Sequence, residues 1–358
     1  MKQRGVTLIE LMVALVIGLL LSLAAASMAI TFDSGRRSNI ASNISGVNGT
    51  TSLSTLSASL GMAGTGLVYP GVGGEPVTTC STVYAHEGVT LSGVTINPVS
   101  IDASKANSDR LTFAYTTGGS SSSRLRPAAV LAALNDDITV TANGAINAGE
   151  DIFLLSGVDK TCTLRTVTTL TANVPVAPAT GTLTLHFDAS APHNGSVGSP
   201  APIYSSYFVA PIKQLVYQEW YVEDKLLKFN NRLANTVNIV ADGALYLRAQ
   251  YGTQSGTSDF GWQDSSTVPI NLKAIRTALV VQGGDQEKQA DPANCTRTTD
   301  PNIALGAWLD SAGSPITVDI SSLTTTAGGN LVPNWQCFYY KTYTSITPLR
   351  SLMWAITP

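Results

Sequence analysis

The chain has 358 residues, 21 basic and 24 acidic, and only 13% of them are charged, about half the share in an average soluble domain. A formal charge of −3 excludes a nucleic-acid grip built on a basic surface, and 44% apolar residues exclude general disorder. The mean hydropathy of +0.16 is high, and Val6–Ile30 alone carries about as much hydropathy as the net total of the chain.

Lys2 and Arg4 precede Gly5, and Glu10 is the only charge between Gly5 and Asp33. A run of about 18 or more apolar residues reads as a membrane span. The cations before it put the N-terminus in the cytoplasm and the remainder of the chain beyond the membrane. Three readings fit this segment. A cleaved signal peptide would use the small residues Ala24-Ala25-Ala26, but the apolar run is long for that purpose. A plain signal anchor fits the length, yet leaves Glu10 facing lipid at a cost of about 2.5 kcal/mol or more. The third reading accounts for Glu10.

Residues Arg4-Gly5-Val6-Thr7-Leu8-Ile9-Glu10-Leu11-Met12-Val13-Ala14-Leu15 resemble the class III leader of type IV pilins and pseudopilins. The resemblance implies cleavage after Gly5 by a membrane peptidase and methylation of the new amine on Val6, where most relatives carry phenylalanine. It also makes Glu10 the defining charge of the mature helix. A buried carboxylate needs a positive partner, and the Val6 amine of a neighbouring subunit would supply it.

The next stretch continues as a helix into water. Ile40, Ile44 and Val47 share one face, and Leu53, Leu56 and Leu60 share another, about 220° away at 100° per residue. Gly46 and Gly49 lie between the two sets, and both weaken a helix, so a bend or local melting is expected there. A helix from Val6 to Met62 would be about 85 Å long. The expected organisation is a leader at 1–5, an N-terminal helix at 6–64, and a β-rich globular domain at 65–358. Within the helix, 6–32 is membrane anchor and filament core, and 33–64 is amphipathic. The domain is either one elaborated unit or a core with an insertion.

Beyond Gly64, runs of Val, Thr, Ile, Tyr and Leu alternate with turn residues. Arg110–Tyr115, Asp137–Thr141, Asp151–Leu155, Thr163–Thr169, Gly181–Phe187, Tyr204–Val209, Gln214–Val222, Ala244–Tyr251 and Ala274–Gln282 all read as short strands of an antiparallel structure. Gly118–Ser123 and Asp285–Asn302 read as exposed loops. The fold class is therefore α+β and pilin-like, a long N-terminal helix packed on an antiparallel β-rich domain.

Several segments, in order along the chain, are similar to PilW-type minor pilins. They are Leu60–Gly64 at the helix end, Ser108–Thr112, Gly149–Leu155, and Val240-Ala241-Asp242-Gly243 with Gln250-Tyr251-Gly252. Lys273–Val281 and Tyr340–Arg350 complete the set. The resemblance implies a minor pilin that primes pilus assembly and sits in the tip complex, supporting adhesion, twitching motility or DNA uptake. It implies as partners other minor and major pilins through the helix, the prepilin peptidase, an inner-membrane assembly platform and a tip adhesin. It implies a single-pass inner-membrane protein that moves into the extracellular pilus. A J-type minor pseudopilin of a type II secretion system, or a signal-anchored exported binding protein or enzyme, are the alternatives. Many PilW relatives carry an acidic, glycine-rich loop after the Gln-Tyr-Gly segment. Thr253–Asp259 holds one aspartate, a poor calcium cage, so neither a metal nor another cofactor is expected.

Cys80, Cys162, Cys295 and Cys337 show no Cys-x-x-Cys spacing and no zinc signature,. An even count in an exported domain reads as disulfides. Of three pairings, Cys80–Cys162 with Cys295–Cys337 closes the smaller loops. Buried free thiols are the other reading. For catalysis, His86, His186 and His193 are scattered, and Asp136-Asp137 and Glu150-Asp151 read as turn acids. No nucleophile elbow, zinc helix or P-loop is present, so no catalytic residue is assigned. Asn43-Ile44-Ser45, Asn194-Gly195-Ser196 and Asn294-Cys295-Thr296 match the glycosylation pattern as chance would produce it. Trp220, Trp262, Trp308, Trp335 and Trp354 read as core or subunit-contact residues.

Overall fold

The computed structural model describes residues 8–70, 76–78, 82–84, 97–104, 108–118, 137–141, 146–156, 161–173, 181–191, 193–194, 207–254, 260–264, 271–283, 286, 294–310 and 313–350. Helix α1 runs from Leu8 to Gly61. Its first half is rich in Leu, Ala and Met, strong helix formers. Its second half, rich in Ser, Thr, Asn and Gly, is held by packing. Helical geometry continues unbroken through Gly46 and Gly49, so the helix does not melt there.

The helix end turns the chain onto the sheets. Gly66 has a φ of +73°, and a β-carbon there would collide with the Thr116 side chain, so only glycine fits. The Gly64 N–H donates to the Ala114 carbonyl (2.8 Å) and the Thr116 N–H to the Thr65 carbonyl (2.9 Å).

Twenty strands follow among the described residues, numbered in chain order. A two-residue-turn hairpin and its neighbours form a five-stranded antiparallel sheet. It contains β4 (Val99–Asp102), β5 (Arg110–Thr116), β12 (Leu215–Glu223), β13 (Leu226–Asn231) and β14 (Thr236–Asp242), in the order β14-β13-β12-β5-β4. A second antiparallel sheet contains β15 (Ala244–Thr253), β16 (Gly261–Gln263), β17 (Leu272–Gln282) and β20 (Tyr340–Pro348), in the order β16-β15-β17-β20. The lower half of α1 packs on β20, β17 and β14. Leu53, Leu56, Leu60 and Ala63 join Leu111, Phe113, Trp220, Leu247, Tyr251, Ile275 and Leu279 in one buried cluster. Each such leucine contributes about 1.5–3 kcal/mol on burial.

Between adjacent strands β5 and β12 the chain makes a long excursion. It builds β6 (Ile138–Thr141), β7 (Asp151–Ser156), β8 (Thr161–Thr166), β9 (Thr169–Asn173), β10 (Thr182–His186) and β11 (Tyr207–Lys213). One sheet has the order β11-β7-β8-β3, where β3 is Thr82–Tyr84, and the other has the order β6-β10-β9. Their facing sides bury Ile138, Val140, Ile152, Leu154, Val167, Leu185 and Val209. Strand β3 runs parallel to β8, a departure from the expected all-antiparallel pattern. The run Thr163–Thr169, expected as one strand, is split. The chain leaves one sheet after Thr166 and enters the other at Thr169, and the Thr168 hydroxyl donates to the His186 carbonyl (2.8 Å) at the crossing.

Short strands β1 (Val68–Pro70) and β2 (Pro76–Thr78) pair with each other. The hairpin β18 (Asn302–Leu309) and β19 (Pro315–Asp319) covers the face of β17 turned away from α1. There Ala278 and Val280 meet Leu305, Trp308, Val318, Ile320, Leu323 and Val332. The loop expected over Asp285–Asn302 is not wholly exposed, because Cys295 is buried.

Candidate assembly site

The apolar span of α1 is Leu8–Ala29, and none of it is buried against the domain. Leu8 is 76% exposed, Leu19 67% and Leu23 68%. An apolar surface of this length needs lipid or other helices around it. Glu10 lies in the first turn of α1 and is the acidic residue there. Gly5 and Val6 lie outside the described residues.

Past the span, the helix presents two different faces. Ser45, Gly49, Ser52, Leu53, Leu56 and Leu60 are buried, spaced to form one stripe. Ile40, Ile44 and Val47 remain 45%, 49% and 63% exposed. The two apolar sets lie on different faces, as their spacing predicts, and small residues, not Ile40, Ile44 and Val47, continue the leucine stripe toward the membrane. Small side chains let the sheet approach closely. The Tyr343 ring lies against Gly49, the Ser57 and Ser345 hydroxyls hydrogen-bond at 2.8 Å, and Asn48 Nδ2 donates to the Asp242 carbonyl at 3.3 Å.

Buried polar contacts lock the two sheets beneath the helix. The Asp109 carboxylate accepts the Ala249 N–H (2.8 Å) and an Arg248 N–H (3.3 Å). Arg248 reaches on to Asp264 (3.0 Å). Burial pushes the Asp109 carboxyl up to about 6, against the opposing pull of the Ala249 N–H and Arg248. Glu219 takes Arg110 at 3.3 Å and Arg232 at 3.2 Å. The Arg276 guanidinium sits 4.9 Å from the Trp262 ring and 4.3 Å from the Trp308 ring, and its Nε donates to Gln250 (2.6 Å). Trp220 is buried and stacks on Phe229 at 5.1 Å. Trp335 is partly buried beside the β18–β19 core, and Trp354 lies outside the described residues.

Cys295 and Cys337 are joined in a disulfide, with Cα atoms 4.9 Å apart. Cys162 is also disulfide-bonded. Its expected partner, Cys80, lies outside the described residues, and β3 begins two residues after Cys80, with Val83 in register with Cys162.

The histidines have structural neighbours. His186 Nδ1 lies 2.8 Å from Asp137, and its Nε2 lies 2.8 Å from the Thr171 hydroxyl, a cross-strand set that sequence spacing did not expose. His193 lies 3.9 Å from Asp151, which accepts the Thr166 hydroxyl at 2.8 Å. Burial raises the Asp151 carboxyl. Glu150 accepts the Asn147 N–H and side-chain amide as a turn brace. His86 and Asp136 lie outside the described residues. Asn194 is buried with its amide bonded to both the N–H and the carbonyl of Thr166, which closes that sequon to glycosylation, whereas Asn43 and Asn294 are exposed. Among the described residues, no group of three or more His, Cys, Asp or Glu is placed to hold a metal ion.

The family model of the prokaryotic N-terminal methylation motif matches residues 1–26. No curated protein and no solved structure matches the chain. The matched stretch contains Gly5, Val6 and Glu10 and runs into the exposed apolar helix. It supports a type IV pilin-like protein, pilin or pseudopilin, anchored in a membrane before incorporation into a pilus. It points to a structural protein rather than an enzyme. It implies engagement of a prepilin peptidase and pilus assembly machinery.

Proposed function

We propose that the chain is a PilW-like minor pilin. Residues 1–5 are its leader, cut after Gly5, and Val6 becomes the methylated N-terminus. Residues 6–64 then form the assembly helix, and 65–358 the outward-facing domain. The protein waits in the inner membrane as a single-pass subunit with its N-terminus in the cytoplasm. It then primes pilus assembly and takes a place in the tip complex, beneath an adhesin. There it supports attachment, motility or DNA uptake. The pairing Cys80–Cys162 belongs to the same reading.

The carrying observation is the methylation motif fused to a helix whose apolar span touches none of its own domain. In the assembled helix bundle Glu10 would sit among apolar side chains, where an isolated carboxylate is costly. The Val6 amine of an adjacent subunit offsets that cost and fixes the axial register between the two helices. Glu10→Gln keeps the size of the side chain and removes its charge. The variant is expected to be cleaved and methylated as usual but to be lost from purified pili. Normal incorporation would remove Glu10 from this role. Co-purification of the tagged protein should recover pilin subunits; recovery of secretion-system subunits instead would assign it to a pseudopilus.

A further inference from the structure

The five-stranded sheet treats its two edges differently. At β4, the Ile101 N–H is taken up by the buried Tyr251 hydroxyl (2.8 Å). At the other edge, β14 pairs with β13 on one side, and no strand lies beyond it among the described residues. Natural sheets usually guard such an edge with charge, proline or a bulge away from the rim. Strand β14 reads Thr236-Val237-Asn238-Ile239-Val240-Ala241-Asp242; its bulge lies at Val240, between the pairs Lys228–Ile239 and Leu227–Ala241, and the stretch Thr236–Ile239 ahead of it holds no bulge, charge or proline. Val237 is 53% exposed and Ile239 65%.

This edge is continuous with the assembly helix. Asn48 ties the end of β14 to α1 through the Asp242 carbonyl. At 100° per residue, Asn48 sits on the flank between the buried stripe and the exposed Ile40–Ile44–Val47 stripe. The contact lies about 28 Å along the helix from the end of the span at Ala29. The end of β14 is therefore joined to α1 on the flank next to the exposed stripe, the face left open to a neighbouring helix.

We propose that β14 is a strand-addition edge, on which a neighbouring subunit with the same kind of assembly helix lays an extended strand. The main chain of β14 supplies the hydrogen-bonding row, and Val237 and Ile239 supply the apolar grip. This inference rests on the pilin reading.

The test uses the full-length chain expressed in cells that assemble pili, with a photo-crosslinking residue at Val237 or Ile239 and a control at the equally exposed Leu309. Irradiation should give an adduct from the β14 positions and not from Leu309. Its partner peptide should come from a subunit with a processed, methylated N-terminus. The double variant Val237→Lys, Ile239→Lys should lower the recovered partner at least tenfold with an unchanged melting temperature, while Ile239→Val retains it. Adducts only to lipid or to proteins without that N-terminus, or full recovery with the double lysine variant, would overturn the inference. If Val6 is methylated while β14 stays unlinked, the edge proposal fails and the pilin reading stands. If the leader is uncut, both fail.

Discussion

The ring of Tyr343 on β20 lies across Gly49 of α1, in the space a β-carbon at that position would fill. Glycine in a helix interior normally costs about 1 kcal/mol relative to alanine, and here that cost admits the tyrosine. Gly49→Ala should therefore destabilise the protein by about 1–3 kcal/mol, the range of overpacking. At Gly46 the nearest atom to a new β-carbon is the Tyr343 hydroxyl at 3.9 Å, an ordinary contact. Gly46→Ala should be neutral or stabilising by up to about 1 kcal/mol. Thermal unfolding of the two purified variants reads the opposite signs.

Thr277 on β17 is fully buried, and its hydroxyl has no hydrogen-bond partner among the described residues. A desolvated, unpaired hydroxyl costs about 1–3 kcal/mol. Thr277→Val keeps the shape and removes the polar atom. Denaturant unfolding should show a gain of about 1 kcal/mol, and a loss would mean that the hydroxyl is bonded.

Asp109 has a raised carboxyl, about 6 against an ordinary 3.8, so the folded chain holds this proton more tightly than the unfolded chain does. Its contribution to stability is full below about pH 4 and is lost as pH rises through 6, by up to about 3 kcal/mol. Asp188 and Asp224 are held below the usual range, chiefly by the N–H groups of Ser190 and Thr326, and titrate below this window. Asp151 is shifted upward by burial and acts in the same sense as Asp109. Unfolding free energies of Asp109→Asn between pH 4 and 7 should fall less steeply than those of the unaltered protein. An unchanged slope would reassign the titration.

The Cys295–Cys337 disulfide closes a loop with a sequence separation of 42. Loop closure on that scale contributes about 4 kcal/mol in the chain-entropy account. It ties the segment before β18 to the 3₁₀ turn Trp335–Cys337 that precedes β20. Replacing both cysteines with serine should lower the melting temperature and raise proteolysis near Cys295. Limited proteolysis with mass mapping checks both the bond and its location.

The leader was legible because its chemistry is local: Gly5, Val6 and Glu10 stand in fixed order within a few residues. The strong strands β5, β7, β12, β15 and β17 were legible from their own apolar runs, whereas β20, Tyr-Lys-Thr-Tyr-Thr-Ser-Ile-Thr-Pro, was read only through the resemblance. The purpose of Gly49 was not, because its reason is a tyrosine far along the chain. Strand β13 carries Lys228, Asn230 and Asn231, and its alternation is too weak to read. The parallel β3–β8 pair and the Asp137–His186–Thr171 set depend on register between distant strands, which no local pattern records. What covers Ile40, Ile44 and Val47 was not legible, because an apolar stripe does not say whether its own domain or a neighbour packs on it.

Processing as a pilin is the event on which the proposed role of α1 depends. The mass of the mature N-terminus, measured on protein purified from its native membrane, tests it most directly. The expected chain begins at Val6 and carries one added methyl group on its amine. A chain that begins near Ser27, as after signal-peptide cleavage, or one that retains Met1, as in an ordinary anchor, would contradict it.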